Sequence, residues 1–266
     1  MRRFNPPPTL DFRRRYADRF IVPTIFSRLN TELHGGLRSG EVAYVLADSG
    51  RGKSTFLDCI ALNAGKYFHR DFPDRWVYLF LLEMDIKTRE ERLMQAYFRK
   101  TKGELIDGEV CTPNPLNLIL IDDTDFTNTV VGITEFLEKQ REIPGLIVID
   151  YVDNMDEVMG ADWRFHKKMS KQLERLAKKF DCPVWTASQT TKPMDFNTET
   201  DLLDERHIQG GKAKRDSAVL FISLNYRGGN HITVNPFKNR RGSTEPFGCY
   251  VDYTRFIIED LKEQGE

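Results

Sequence analysis

The stretch ADSGRGKST (47–55) has the composition of a phosphate-binding loop. It follows an apolar run, EVAYVLA (41–47), and precedes a predicted helix, which is the strand–loop–helix context that this motif requires. Glycines allow backbone N–H groups to curl around an anion, and the N-terminus of the helix adds its positive end. We therefore predict that the loop binds nucleotide through the following residues: Ser49, Gly50, Arg51, Gly52, Lys53, Ser54 and Thr55.

Within this loop, Lys53 is expected to reach the β- and γ-phosphates, and Ser54 to ligate Mg²⁺. Ala47 stands where the usual pattern begins with glycine. Because Ala47 is the last residue of the predicted strand, its methyl group need not block the anion. The alternative is a glycine-rich turn without a ligand, which is disfavoured because Gly50 and Gly52 both precede Lys-Ser at the end of a buried strand.

Two carboxylates are placed at the ends of predicted strands. Asp150 ends GLIVID (145–150), and at the carboxyl edge of a sheet it can hold Mg²⁺ through water. Glu83 ends WVYLFLLE (76–83), from which it can orient and polarise the water that attacks a γ-phosphate. Each has a plainer alternative: Asp150 as a turn residue, and Glu83 as an acidic charge at a helix N-terminus.

Composition restricts the classes of protein to consider. The chain has 266 residues, 40% hydrophobic and 30% charged, which is typical of a folded globular protein. Its net charge of -1 means that nucleic acid could bind only at a local basic patch. The four cysteines form no CxxC pair, which argues against structural zinc. We find neither a membrane-length apolar run nor a secretion signal, so we expect a cytoplasmic protein without a membrane partner.

From Gly40 onward, apolar strands alternate with amphipathic helices. The predicted strands are 41–47, 76–83, 117–123, 145–150 and 183–188, with helices at 86–100 and 129–141 and a polar loop at 189–212. AVLFISL, NHITVNPF and GCYVDY then follow as strands without intervening helices. This order predicts an α/β fold with a doubly wound, mainly parallel sheet and antiparallel edge strands. Residues 1–22 are predicted to be a basic N-terminal arm containing a linker helix, and 23–266 the main domain.

With these residues placed, the chain resembles the ATPase domain of the DnaB-type replicative helicases, a branch of the RecA-like motor proteins. The resemblance covers about residues 22–256 and rests on motifs in the family's order: VPTIFSRLNTELHGGLRSGE, LADSGRGKST, LLEM, LILIDD, LIVIDYVDNM, Ser188-Gln189 and PFKNRRGSTEPFG. It implies a RecA-like fold, Glu83 as the general base and Asp150 as the magnesium-side aspartate. It also implies that Gln189 is a sensor linking the γ-phosphate to DNA-binding loops.

The resemblance further implies roles for three residues near the C-terminus. Lys238 and Arg240 match a lysine and an arginine finger that reach into the site of a neighbouring subunit. An arginine there would neutralise charge on the γ-phosphoryl oxygens, an effect on the order of 10³-fold or more in rate. Tyr253 matches a ring that stacks on adenine. The alternative for Lys238 and Arg240 is a basic hairpin turn on a solvated face. The alternative for Tyr253 is packing in an edge strand.

Family likeness also implies a homo-hexameric ring around single-stranded DNA, with a primase or a helicase loader as further partners. The arm would dock on the adjacent subunit through LDFRRRYADRF. In HIQGGKAKRDS, the predicted DNA contacts are Lys212, Lys214 and Arg215; the group Arg164, Lys167 and Lys168 is equally compatible with ordinary solvated surface. Because only about twenty residues precede the family's entry segment, we expect a stand-alone short form, virus- or plasmid-encoded, acting in the host cytoplasm. Ala218 stands where the family often has an acidic residue, a departure that concerns loader contacts and processivity and not the ATPase chemistry.

The predicted function is an ATP-dependent DNA helicase that uses Mg²⁺ with ATP and translocates on single-stranded DNA. A RecA-like recombination or regulatory ATPase without unwinding activity is the alternative, and the LLEM and Ser188-Gln189 motifs favour the helicase branch. A third reading is a ring subunit that binds nucleotide without hydrolysing it. The joint presence of Lys53, Glu83, Asp150 and Arg240 disfavours that reading.

Overall fold

The computed structural model describes residues 20–109, 114–156, 163–191 and 201–261. Its strands are β1 (Ile21–Val22), β2 (Leu37–Arg38), β3 (Val42–Leu46), β4 (Arg75–Leu81), β5 (Leu118–Asp122), β6 (Ile143–Asp150), β7 (Val184–Ser188), β8 (Leu220–Tyr226), β9 (His231–Asn239), β10 (Phe247–Asp252) and β11 (Ile257–Asp260). Its α-helices are α1 (Ser27–Glu32), α2 (Lys53–Asp71), α3 (Ile86–Phe98), α4 (Lys102–Ile106), α5 (Val130–Leu137), α6 (Trp163–Lys179) and α7 (Lys212–Ser217).

Among the described residues, the main sheet has nine strands in the order β11-β10-β9-β8-β3-β7-β6-β4-β5. The strands from β8 to β5 are parallel, and β9, β10 and β11 extend the sheet antiparallel beyond β8. The predicted architecture, with antiparallel strands at one edge of a mainly parallel sheet, is thereby confirmed. Every residue of β3 and β7 is buried, as expected for central strands covered on both faces.

Alternate residues of the central strands face two separate hydrophobic layers. Ala43 and Val45 of β3 pack with α1, α2 and α3 on one face, whereas Val42 and Tyr44 pack with α5 and α6 on the other. The period of two residues along a strand produces this division. The three-layer arrangement holds β3 rigid at the centre of the sheet, where the glycine-rich loop begins.

The structure differs from the sequence prediction between β7 and β8. We predicted one polar loop over 189–212, but the described part of it contains a short 3₁₀ turn at Glu205–His207, and helix α7 begins at Lys212. A six-residue polar helix has no apolar periodicity to reveal it. Strand β11, which pairs with β10, was also missed. The helix predicted at 129–141 is shorter, because α5 ends at Leu137.

The start of the folded unit also differs slightly from the predicted boundary at residue 23. Strand β1 pairs with β2, and the Phe20 ring lies 5.5 Å from the Phe68 ring and 5.2 Å from the Phe72 ring, centroid to centroid. Residues 20–22 therefore belong to the folded unit. The rest of the predicted arm, 1–19, lies outside the described residues. None of the described helices has both the length and the apolar character needed to cross a membrane.

Candidate nucleotide-binding site

The glycine-rich loop joins the end of β3 to the start of α2. Backbone φ is +70° at Gly50 and +91° at Gly52, in the left-handed region that favours glycine. Gly52 is also the N-cap of α2, and because glycine has no side chain to accept hydrogen bonds, the first N–H groups of the helix remain for an anion. The loop therefore has the backbone geometry of a phosphate cradle.

Lys53 is the first residue of α2, and its side chain folds back under the loop. Its Nζ donates hydrogen bonds to the carbonyl oxygens of Ala47, at 2.8 Å, and Asp48, at 3.1 Å. Burial lowers the pKa of Lys53, and the carboxylates of Glu83 and Asp150 partly offset this effect. Ala47 is fully buried in the core, so its methyl group points away from the cradle and its carbonyl helps to hold Lys53.

A cavity of about 650 Å³ opens over this loop. Besides loop residues, it is lined by Glu83, Arg92, Gln189, Tyr253 and Phe256, which come from four different segments of the chain. The structure thus brings together most of the predicted nucleotide residues. Arg51 is an exception, because it does not line the cavity; its guanidinium lies 4.7 Å from the centroid of the Tyr226 ring.

Glu83 lies two residues beyond the end of β4, in the turn that leads to α3. Asp85 caps that helix by accepting a hydrogen bond from the Thr88 N–H at 3.0 Å, which fixes the start of α3 just after Glu83. Burial raises the pKa of Glu83 and the charge of Asp150 adds to the effect, while Lys53 opposes it. A carboxylate with a raised pKa is a stronger base, which suits the activation of water.

Asp150 ends β6 at the same carboxyl edge of the sheet, fully buried. Its Oδ2 accepts a hydrogen bond from Arg89, whereas its Oδ1 has no hydrogen-bond partner among the described residues. A buried carboxylate oxygen without a partner fits a magnesium ion that keeps its water ligands. Ser54, in the first turn of α2, lines the cavity, so Ser54 and Asp150 are the residues that would hold Mg²⁺.

Arg89 and Asp58 were not identified from the sequence. Arg89 Nε donates to Asp58 Oδ1 at 2.5 Å, and both side chains are almost completely buried. Burial raises the pKa of Asp58 to about 7, and Arg89 opposes the effect. Although burial disfavours its charge, Asp58 and Asp150 together raise the pKa of Arg89 above its ordinary value. The signal was present: Asp58 is the lone carboxylate in an apolar run of α2, and a charge there needs a buried partner.

Gln189 follows β7 and lies in a buried polar network. Its backbone N–H donates to Asp153 Oδ2 at 2.9 Å, and its side-chain amide donates to the Tyr151 hydroxyl. The Tyr151 ring centroid lies 6.0 Å from Lys53 Nζ. Gln189 therefore connects the phosphate loop with the turn that follows β6, a position that suits a sensor of bound phosphate.

The same network contradicts one predicted DNA contact. Lys214 is fully buried: its Nζ forms an ion pair with Asp153 and donates to Ser188 Oγ at 2.9 Å. A lysine enclosed in this way cannot reach a phosphate in solution, so this prediction was wrong. Arg215 is partly exposed but forms ion pairs with Glu205 and Asp216. The side chain of Lys212 lies outside the described part of the structure.

Tyr253 lies in the turn between β10 and β11, not within an edge strand as we had considered. An ideal Cβ added to Gly52 would be 3.3 Å from the Tyr253 ring, so the ring lies directly against the phosphate loop. Its hydroxyl is buried and has no hydrogen-bond partner within the described ranges. The ring therefore forms one wall of the cavity.

Lys238 and Arg240 lie level with the amino-terminal ends of the parallel strands, whereas the phosphate loop follows the carboxyl end of β3. Asn239 pairs with Leu220, which pairs with Ala43 near the start of β3, whereas the loop follows the end of β3. Three residues of a strand separate these levels by about 10 Å. Lys238 Nζ donates to the Arg215 carbonyl and Arg240 to the Asp216 carbonyl, so both are held on α7.

Comparisons with known proteins decide which family has this arrangement. The family described as "DnaB-like helicase C terminal domain" matches residues 22–205, which is more than half of the chain. The chain belongs to this family. It is 24% identical over 218 residues to the replicative DNA helicase DnaB of Synechocystis sp. (strain ATCC 27184 / PCC 6803 / Kazusa), covering 77% of this chain and 24% of the relative. The chain therefore spans about a quarter of that relative's length.

Solved structures agree with this assignment. The ATPase domain of G40P superposes with a TM-score of 0.76 at 18% identity, covering 96% of each chain. A DnaB-like replicative helicase, solved in a study of its interactions with primase, gives a TM-score of 0.74 at 18% identity and covers 96% of this chain and 67% of its own. The predicted RecA-like fold and the resemblance to the DnaB-type ATPase domain are thereby confirmed.

Proposed function

We propose that this chain is the motor domain of an ATP-dependent replicative DNA helicase. The observation that carries the proposal is the cavity in which the phosphate loop, Glu83, Gln189 and Tyr253 meet. The Asp150 carboxylate lies close enough to Lys53 and Glu83 for its charge to favour a higher pKa in both. Membership of the DnaB-like family supports the same conclusion.

In the proposed reaction, Lys53 binds the β- and γ-phosphates and the N-terminus of α2 receives the phosphate charge. Glu83 orients the attacking water and accepts its proton on a carboxylate oxygen. Mg²⁺, held by Ser54 and Asp150, would neutralise charge on the phosphate oxygens. Tyr253 stacks on the base and Gln189 reports the presence of the γ-phosphate to the rest of the domain.

Arg240 and Lys238 complete the site of a neighbouring subunit. Their position near the amino-terminal ends of the parallel strands supports this proposal, because Arg240 is held on α7, away from the cavity of its own chain. A ring of identical subunits, for which we propose a hexamer, would place each pair against the next cavity. The predicted arm at 1–22 would dock on that neighbour through the stretch LDFRRRYADRF.

Single-stranded DNA would pass through the ring, with Lys212 and Arg215 as proposed phosphate contacts. Such contacts are insensitive to sequence and weaken steeply with salt. Primase or a helicase loader would be further partners; the primase proposal draws support from the structural relative described with primase.

The test is ATP hydrolysis with and without single-stranded DNA, followed by strand separation on a forked duplex. We expect strong stimulation by DNA that is lost in Lys53→Ala and in Arg240→Ala, and kept in Arg70→Ala, an exposed arginine that forms an ion pair with its neighbour Asp71. Mixing the two inactive variants should restore hydrolysis, because one contributes the cavity and the other the finger. Hydrolysis indifferent to DNA, or unaffected by Arg240→Ala, would instead indicate a RecA-like regulatory or recombination ATPase. Binding without hydrolysis would indicate a scaffold.

A further inference from the structure

Arg89 lies at the centre of a buried charge cluster next to the proposed magnesium site. Its side chain is 1% exposed, and those of Asp58 and Asp150 are 0% exposed. Burial of three ionisable side chains is costly unless each charge is closely paired. The cluster therefore calls for a role that a hydrophobic contact could not fill.

The guanidinium of Arg89 contacts acceptors on two different elements. Its Nε donates to Asp58 on α2, its Nη1 donates to Asp150 Oδ2 at the end of β6, and its Nη2 lies 3.5 Å from the Ser54 carbonyl oxygen. A planar fork with several fixed donors can serve all three acceptors at once, whereas the single ammonium of a lysine cannot. Arg89 thus ties together the two segments that carry Ser54 and Asp150.

The contact determines how Asp150 is oriented. Arg89 engages Oδ2 and leaves Oδ1 without a hydrogen-bond partner in the described part of the chain. One carboxylate oxygen is thereby fixed while the other stays available to a metal-bound water. Helix α3, which carries Arg89, begins just after Glu83, so the same anchor also fixes the segment that presents the proposed base.

We propose that Arg89 is a positioning residue for the magnesium–nucleotide site, holding the Asp150 carboxylate in the orientation that a hydrated Mg²⁺ requires. Asp58 is the second carboxylate on the same guanidinium and anchors Arg89 to α2. This inference rests on the proposed function, because it assumes that Asp150 serves a magnesium-bound nucleotide.

The informative variant removes Arg89 together with its second partner Asp58, so that one buried carboxylate, Asp150, loses its partner instead of two. Arg89→Leu alone would strand two buried carboxylates and could unfold the chain. The double variant Asp58→Leu with Arg89→Leu removes one charge of each sign and leaves Asp150 intact. Arg89→Lys keeps the charge but not the fork. The matched control is Glu91→Leu with Lys102→Leu, which removes an exposed ion pair, 2.8 Å long, in the same region.

The measurement is the affinity for a fluorescent ATP analogue in EDTA and in Mg²⁺, with circular dichroism melting to verify folding. In the unaltered chain and in the control, Mg²⁺ should strengthen binding. In the double variant and in Arg89→Lys we expect the EDTA affinity to stay within about twofold and the gain from Mg²⁺ to fall about tenfold, as for other residues that orient metal ligands. A purely structural role would change melting and leave that gain intact.

Two results would overturn the inference, and they are distinguishable. If Mg²⁺ strengthens the affinity for the ATP analogue equally in the folded double variant and in the unaltered chain, the positioning role alone would be refuted. The absence of any such gain in the unaltered chain would refute it together with the proposed function.

Discussion

Replacing Lys214 by methionine removes the cation from a buried ion pair and keeps an unbranched side chain of similar length. The Lys214 side chain is 0% exposed and that of its partner Asp153 is 3% exposed. The change leaves the Asp153 carboxylate buried with hydrogen bonds from Ser188 Oγ, at 3.2 Å, and the Gln189 N–H, at 2.9 Å, but without a counter-charge.

Loss of one partner from a buried ion pair costs about 3–5 kcal/mol, because the remaining charge is uncompensated. For a domain of this size each kcal/mol lowers the melting temperature by about 2–4 °C, so a drop of about 10 °C is expected. The double variant Asp153→Asn with Lys214→Met leaves no charge behind and should recover at least half of the loss. Lys171→Met, at an exposed lysine of α6, should change stability by less than about 0.5 kcal/mol.

The assay is urea unfolding followed by circular dichroism, at one protein concentration for all four chains so that any assembly contributes equally. If Lys214→Met loses less than about 1 kcal/mol, similar to the exposed control, then the ammonium group is accessible to water. That result would refute the buried pair and would restore Lys214 as a candidate for contact with DNA phosphates.

Three further predictions concern the cavity and its support. Because the pKa of Glu83 is raised above 4.5, the acid limb of the pH–rate profile for hydrolysis should lie above the range of an ordinary glutamate. Glu83→Gln should bind nucleotide but not hydrolyse it, and full turnover in that variant would contradict the role of Glu83 as general base. Burial raises the pKa of Asp58 to about 7 in the folded chain, against 3.8 for an ordinary aspartate, so this group stabilises the folded chain fully below about pH 4 and ceases to do so as pH rises through 7. The free energy of unfolding in urea should therefore fall between pH 5 and pH 8, and Asp58→Asn should reduce that fall. An equal fall in the variant would disprove this prediction. Gly52→Ala places a Cβ 3.3 Å from the Tyr253 ring at a residue whose φ is +91°, so the phosphate loop would be strained. The variant should bind an ATP analogue about tenfold or more weakly, whereas wild-type affinity would show that the loop adapts.

The parts of the site that were predictable are those that short segments carry within themselves. Gly50, Gly52 and Lys53 follow one another in a fixed motif, and a continuous apolar run before them predicts the buried strand β3. Glu83 and Asp150 were found because each closes such a run, and parallel strands bring their carboxyl ends to one edge.

Contacts between distant segments were not predictable from the sequence. Lys214 was expected to contact DNA because its segment resembles a DNA-binding loop of the family, yet folding pairs it with Asp153, 61 residues earlier in the chain. Arg89 and Asp58 form a buried pair across 31 residues. Helix α7 has no apolar periodicity, and its ion pairs and its packing determine where it lies.

The sequence by itself therefore determined the phosphate loop, the alternation of strands and helices, and the order of motifs that the family shares. These depend on local backbone geometry and on the period of hydrophobic residues, both of which can be read along a single segment. Only the tertiary structure decided which charges are buried and paired. It also decided that Arg240 lies near the amino-terminal ends of the parallel strands, away from the cavity of its own chain. Burial and Coulomb interactions depend on distances in space, and those distances are set by how separate elements pack.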